Sequence, residues 1–332
     1  MTEPNRAPLT EDERRWAKDA LDRLSATFAA TVVGQPRLLK ALLVTVLSRG
    51  HVLLESVPGL AKTLAASTLA RSVDGSFARV QCTPDLLPSD IIGTQIFDQS
   101  SHSFTTELGP VHANFVLLDE INRSSAKTQS AMLEAMQERQ TTIGGRTYRL
   151  PDPFVVLATQ NPIEEEGTYV LPQAQLDRFL LKEVVEYPSP DEEFEVLSRA
   201  ESGAFDAPTS AACTTAEVLR LQGLARRVKV DDAVKRYIVE LVNVTRRPAD
   251  FLSGEQAHWI EYGSSPRGAL AFQQVARASA LLDGRDHVVP GDVTGLRHAV
   301  LRHRLILTFE ALAERVRPED LIDAVFAAVP TP

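Results

Sequence analysis

The chain has 332 residues, 44% of them hydrophobic and 24% charged, with a formal net charge of −9. At roughly 100–200 residues per domain this length suggests about two domains, each with enough apolar material for a core. The acidic balance argues against a non-specific nucleic-acid or membrane binder, because neutralising phosphate needs clustered Lys and Arg, although a local basic pore would escape that argument.

Residues 1–10 are polar and lack the apolar stretch of a signal peptide. Thr10 followed by Glu13 predicts a capping box opening a helix through Phe28, and Pro36 stands at the first position of an apolar helix over 38–47. Strand and helix patterns then alternate: strand 51–54, helix 62–71, strand 78–81, strand 115–118, helix 128–139, strand 154–158 and strand 179–185. Wholly apolar strands alternating with helices imply a parallel sheet covered on both faces. Between them, residues 140–148 form two β-prone runs around Gly144-Gly145, the pattern of a hairpin. Past Tyr187 the pattern changes. Prolines at 188 and 190 interrupt it, 203–208 looks like a linker, and helical spacing follows over 218–228, 232–244, 267–282, 292–307 and 318–329 with no alternating strand. The two cysteines, Cys82 and Cys213, lie outside any CxxC, which points to reduced thiols in a cytoplasmic protein rather than a disulfide scaffold or zinc site. No run approaches the ~18 apolar residues of a membrane span, so no membrane insertion is expected.

Three places carry candidate chemistry. The strand over 51–54 runs into Ser56-Val57-Pro58-Gly59-Leu60-Ala61-Lys62-Thr63 and then a helix. This is the context of a phosphate-binding loop, in which backbone N–H groups cradle phosphate, a Lys reaches the β- and γ-phosphates and a Thr hydroxyl ligates Mg²⁺. The usual GxxxxGK[ST] is broken at both glycines, by Ser56 and Ala61, so an ordinary strand–turn–helix stays open on this motif alone. A second site is Asp119-Glu120, two carboxylates ending a buried strand. Asp119 would hold Mg²⁺ and Glu120 would orient and deprotonate a water; the plainer alternative is that Asp119 caps the next helix. The third is Asn161, at the tip of the next strand, where a side chain could touch both a γ-phosphate and the lytic water, or could merely precede Pro162 in a turn.

Taken together these residues resemble the MoxR family of AAA+ ATPases. The resemblance runs through Val33-Gly34-Gln35, His51-Val52-Leu53-Leu54-Glu55, Gly59-Leu60-Ala61-Lys62-Thr63, Gly109-Pro110, Asn114 and Leu117-Leu118-Asp119-Glu120-Ile121-Asn122-Arg123. It continues through Leu133-Glu134-Ala135-Met136-Gln137-Glu138, Ala158-Thr159-Gln160-Asn161-Pro162, Glu166-Gly167-Thr168-Tyr169, Leu171-Pro172, Ala174-Gln175-Leu176-Asp177-Arg178-Phe179 and Ser265-Pro266-Arg267, spanning most of 31–270. It implies an α/β P-loop core with a C-terminal helical lid, divided as an N-terminal helical extension 1–30, a nucleotide-binding core 31–187 and a lid 188–332. It implies a nucleotide set of Gly34 and Gln35 on the adenine side with Ser56, Val57, Pro58, Gly59, Leu60, Ala61, Lys62, Thr63 and Leu64. Thr63 and Asp119 would hold Mg²⁺, and Glu120, Asn161, Arg178 and Arg267 would act in catalysis as Walker B carboxylate, sensor 1, arginine finger and sensor 2. Ser56 departs from the family's glycine at that position. An Arg supplied by a neighbouring subunit is worth on the order of 10³–10⁵ in rate in other NTPases; the plainer readings are a surface pair of Arg178 with Asp177 and a chance cation at Arg267. The family also carries two inserts, placed here at 85–109 and 140–148, that face a ring pore, unless both are ordinary surface hairpins.

The resemblance thus implies ATP hydrolysis by a homo-oligomer, six subunits being the family expectation, which remodels or matures a protein client with a von Willebrand factor A-domain partner. Two other readings compete. One is an ATP-gated scaffold with incidental hydrolysis, kept open by Ser56. The other is a nucleic-acid motor, disfavoured by the acidic charge and by the lack of a recognisable DNA-binding module.

Overall fold

The computed structural model describes residues 7–57, 59–60, 62–161, 169–203 and 210–332. Pro58, Ala61, the stretch from Pro162 to Thr168 and most of the expected linker at 203–208 lie outside the described residues. The chain divides into two compact units, Asp22–Phe179 with Glu183–Leu219, and the N-terminal residues to Leu21 with Leu180–Lys182 and Arg220–Pro332.

The first unit carries β1 (Val52–Glu55), β2 (Phe77–Gln81), β3 (Gly93–Asp98), β4 (Ser103–Leu108), β5 (Phe115–Asp119), β6 (Gln140–Ile143), β7 (Arg146–Arg149) and β8 (Val155–Gln160), and β9 spans Leu181–Val184. The main sheet has the order β2-β5-β8-β1-β9. Its pairs β2/β5, β5/β8 and β1/β8 are parallel, with Phe77 opposite Phe115, Phe115 opposite Val155 and Val52 opposite Leu157. Every residue of β5 is buried, as the unbroken apolar run predicts for a strand covered on both faces. Leu53, Val116, Leu118, Val156 and Phe154 pack with Met132, Leu133 and Met136 of the helix Ala126–Glu138 into one core. His51 is locked into that core at the foot of β1. Its Nδ1 accepts from the Val156 N–H at 3.0 Å, so its Nε2–H donates to the Met136 carbonyl at 3.2 Å. Burial, with the Arg139 charge adding to it, pushes its pKa down to about 3, so the ring stays neutral.

Both expected hairpins form. In β6–β7, Gly144 and Gly145 take φ of 55° and 78°, the two positive φ values that a two-residue hairpin turn requires. In β3–β4, Phe97 stands opposite Phe104 with ring centroids 5.2 Å apart, and both rings are exposed. The hairpins lean on each other: Tyr148 Oη donates to Thr106 Oγ1 at 2.9 Å, and a Cβ on Gly144 would fall 2.1 Å from the Gln95 side chain. Besides the short helices Pro88–Ile92 and Gln173–Leu176, a longer one escapes the sequence reading, Pro190–Glu201, which opens with a Ser189/Glu192 capping box and has no buried residue. Its apolar residues Phe194 and Leu197 are exposed, so no core pairs with the stripe they form.

The second unit is built of helices, among them Asp232–Arg246, Pro266–Leu282 and Pro318–Ala328, packed around Tyr237, Phe272 and Phe326. It departs from the expected pattern by the added short helices Pro248–Phe251 and Phe309–Ala313 and in two further ways. The single helix expected over 292–307 is broken into Pro290–Thr294 and Arg297–Leu301. Asp292 serves as the third residue of the first piece, accepting from the Val289 N–H at 2.8 Å, and Gly295 caps its end. The same region also holds a short antiparallel pair, β10 (Ile260–Tyr262) with β11 (Ile306–Leu307), where no strand is expected. Among the described residues no helix is long and apolar enough to cross a membrane.

Candidate functional site

Parallel strands end on one edge of a sheet, and in open α/β sheets ligands bind outside those carboxyl ends. Here that edge gathers Ser56 after β1, Gln81 at the end of β2, Asp119 and Glu120 at the end of β5, and Asn161 after β8. The register makes this inevitable, since Gln81 lies opposite Asp119 and Glu55 opposite Gln160.

The loop after β1 leads into the helix Lys62–Ser72, whose first two residues are Lys62 and Thr63. Lys62 Nζ donates to the Ser56 carbonyl at 3.1 Å, bent back across the loop. Gly59 has φ of 87° with nothing within 4 Å of a Cβ position, so the glycine serves backbone conformation and leaves open space above it. Ser56 is buried and is not among the residues with positive φ, and its Oγ donates to the Val57 carbonyl at 2.9 Å. The serine therefore fits where the common pattern has glycine, without backbone strain.

The acidic edge is held by side chains. Thr159 Oγ1 donates to Asp119 Oδ1 at 2.7 Å and accepts from the Glu120 N–H at 2.8 Å, tying β5 to β8. Asp119 Oδ2 accepts from Arg79 Nη2 at 2.7 Å and Nε at 3.2 Å, and lies 3.5 Å from Thr63 Oγ1. Asp119 does not cap the following turn. That position belongs to Glu120, whose backbone is left-handed at φ 58°. Glu120 Oε2 accepts from Gln81 Nε2 at 2.9 Å and pairs with Arg123 Nη1 at 3.3 Å. Thr63 Oγ1 and the Asp119 carboxylate are both hard oxygen donors, a set suited to Mg²⁺. The sequence reading missed Thr159, Arg79 and Gln81; the signal for the last two was a pair of polar residues two apart on an otherwise β-prone segment.

Beside the loop opens a cavity of about 520 Å³, lined by Val32, Val33, Gln35, Leu60, Leu64 and Tyr187 among others. Gln35 is part of this lining, and Gly34 precedes it in the chain. Gly34 has φ of 66°, and a Cβ there would lie 2.4 Å from Glu192 Cδ. Gln35 Nε2 donates to the Glu186 carbonyl at 3.2 Å. The apolar lining suits a flat heterocycle next to a phosphate-binding turn. Asn161 is buried at the sheet edge, and Arg178 follows the short helix Gln173–Leu176. Arg178 Nε is enclosed and has no hydrogen-bond acceptor among the described residues. Arg267 belongs to the other unit, exposed in the first turn of Pro266–Leu282, where its N–H donates to Ser265 Oγ at 3.1 Å.

Comparison with known proteins shows the family. The model of the ATPase family associated with various cellular activities (AAA) matches residues 51–181, and that of the AAA lid domain matches 255–325. The chain is 50% identical to Chaperone MoxR1 of Mycobacterium tuberculosis, over 94% of this chain and 82% of the relative. It is 35% identical to Protein MoxR of Paracoccus denitrificans, over 92% and 95% of the two chains. A crystal structure from Cytophaga hutchinsonii superposes with a TM-score of 0.91 at 42% identity, covering 97% of this chain and 98% of the other.

Proposed function

Because the chain belongs to the MoxR family of AAA+ ATPases, we propose that its ATP hydrolysis runs in a ring of identical subunits, six in number, and remodels or matures a partner protein. The observation that carries this reading is the convergence of Lys62, Thr63, Asp119, Glu120 and Asn161 on one sheet edge, beside a cavity next to Gly59 and Leu60.

In this reading the triphosphate lies along the loop 56–63 at the start of the helix Lys62–Ser72, with its base in the cavity beside Gln35. Lys62 exchanges the Ser56 carbonyl for phosphate oxygens. Thr63 and Asp119 would hold Mg²⁺, which would supply charge neutralisation to the β- and γ-phosphates. Glu120 orients and deprotonates the attacking water, and Asn161 fixes that water against the γ-phosphate. Arg178, with no acceptor for its Nε among the described residues of its own subunit, reaches a neighbour's γ-phosphate, and Arg267 contributes from the lid. The exposed Phe97/Phe104 pair supports contact with a protein client, because aromatic surface left in solvent marks an interaction site and the chain's net charge of −9 disfavours a nucleic acid there. By family resemblance the partner is a von Willebrand factor A-domain protein, and the buried thiols of Cys82 and Cys213 accord with a cytoplasmic setting.

The test is phosphate release from the assembled protein at saturating Mg²⁺. Glu120→Gln should lower turnover by roughly 10²–10⁴-fold while the protein keeps its nucleotide. Arg178→Ala should lower turnover and be partly rescued by mixing with subunits that carry Arg178 but lack Lys62. Turnover untouched by Arg178→Ala would remove the intersubunit role.

A further inference from the structure

Arg79 has no part in the reading above, yet it holds the Asp119 oxygen nearest Thr63. Side chains on a strand alternate, so Arg79 and Gln81 on β2 face the same way, and Asp119 lies opposite Gln81 and diagonal to Arg79. From there the guanidinium spends two donors on one atom, Asp119 Oδ2, with Nη2 at 2.7 Å and Nε at 3.2 Å. The other oxygen, Oδ1, is taken by Thr159 at 2.7 Å. Oδ2 is also the oxygen 3.5 Å from Thr63 Oγ1. A divalent cation shared between Thr63 and Asp119 must therefore compete with Arg79 for the same lone pairs.

We propose that Arg79 is a resident counter-cation for Asp119, a positioning residue that occupies the metal-facing carboxylate oxygen until Mg²⁺ arrives with nucleotide and then swings out. The inference rests on the reading of Thr63 and Asp119 as the Mg²⁺ ligands. Exposure decides which partner moves: the Arg79 side chain is 50% exposed and Asp119 only 13%. Arg79 can enter water at little cost, whereas Asp119 is pinned between two strands. Two functions follow from one contact. The carboxylate is never left uncompensated at the buried strand end, where an unpaired charge is costly. Free Mg²⁺ is disfavoured in the absence of a triphosphate, because the site already holds a positive charge and only the added phosphates tip the exchange. Arg79 Nη2 also donates to Gln81 Oε1 at 3.3 Å, so its departure releases the residue that grips Glu120.

The experiment titrates Mg²⁺ against retention of a fluorescent, non-hydrolysable ATP analogue on the full chain and takes the Mg²⁺ midpoint. A half-exposed pair is worth little, so Arg79→Gln should lower the midpoint by about threefold, and Arg79→Lys, which keeps the charge but loses the fork, by less. A midpoint unchanged or raised in whichever of these variants folds overturns the proposal; a raised one would mean that Arg79 orients Asp119 for the metal instead of competing with it. Thr63→Ala separates this from the underlying assignment. If its midpoint matches the unaltered protein's, the assignment of the Mg²⁺ ligands fails; if it rises while Arg79→Gln leaves the midpoint unchanged, only the role of Arg79 fails.

Discussion

The loop after β1 and the acidic edge of β5 meet at the same boundary of the sheet, yet they are built on opposite principles. The loop depends on backbone: a glycine at φ 87°, a serine turned back on its own chain, and a lysine whose amine rests on a carbonyl. The edge depends on side chains, with Thr159, Arg79, Gln81 and Arg123 engaging both carboxylates. A backbone cradle gains its proper partners only when phosphate arrives, whereas the carboxylates carry internal substitutes for theirs. Nucleotide binding should therefore change the bonding of the edge and complete that of the loop.

Substitutions can break or sharpen that contrast. After Glu120→Gln, the largest effect falls on Lys62→Ala, which removes the loop's one charged side chain and should lower turnover by roughly 10²–10³-fold, read as phosphate release. Thr159→Val attacks the edge, leaving the buried Glu120 N–H and one Asp119 oxygen without a partner, and should cost about 2–3 kcal/mol in urea unfolding. A loss as small as that of an ordinary surface substitution would mean that the edge is not held through Thr159. Gly34→Ala sets a Cβ on a left-handed residue against Glu192 and should cost about 1–2 kcal/mol, seen as a lower denaturation midpoint together with weaker retention of nucleotide. The smallest effect is expected from Ser56→Gly. The serine occupies ordinary φ, so turnover should stay within a factor of about two while stability drops by about 0.4–1 kcal/mol from the freer unfolded chain. A large rise in turnover would show that the serine restrains the loop after all.

The same contrast explains what the sequence discloses. The inner strands of the main sheet and the β6–β7 hairpin are legible because burial on two faces and paired glycines leave one-dimensional traces, as in the apolar run of β5 and in Gly144-Gly145, whereas the β3–β4 hairpin, with no glycine in its turn, is placed only by family resemblance. Backbone sites are local, so the loop 56–63 and the strand-end carboxylates can be read directly. The support of those carboxylates is not local. That Arg79 meets Asp119 depends on the pairing of β2 with β5, and that Thr159 bridges to Glu120 depends on β8 lying beside β5. The helix Pro190–Glu201 is hidden for a different reason, since the prolines at 188 and 190 read as a break although Ser189 and Glu192 carry its capping box and Pro190 stands at its first position. In the lid, helical spacing over 292–307 conceals the break at Gly295, because Asp292 reads as a helix interior while its carboxylate serves the preceding turn.

The hairpins and the acidic edge are joined by one helix. The helix Ala126–Glu138 is anchored at Ser125, just past the Ile121–Arg123 turn, and passes through Arg139 directly into β6. Its 13 residues make a rod about 20 Å long. The far end is braced, since Tyr148 bonds Thr106 and Gly144 abuts Gln95. The strand-end carboxylates, the Ile121–Arg123 turn and both β-tongues are therefore one continuous run of chain and contacts, so a substitution that loosens the Tyr148–Thr106 bond or the Ser125 cap should be felt along the whole of it.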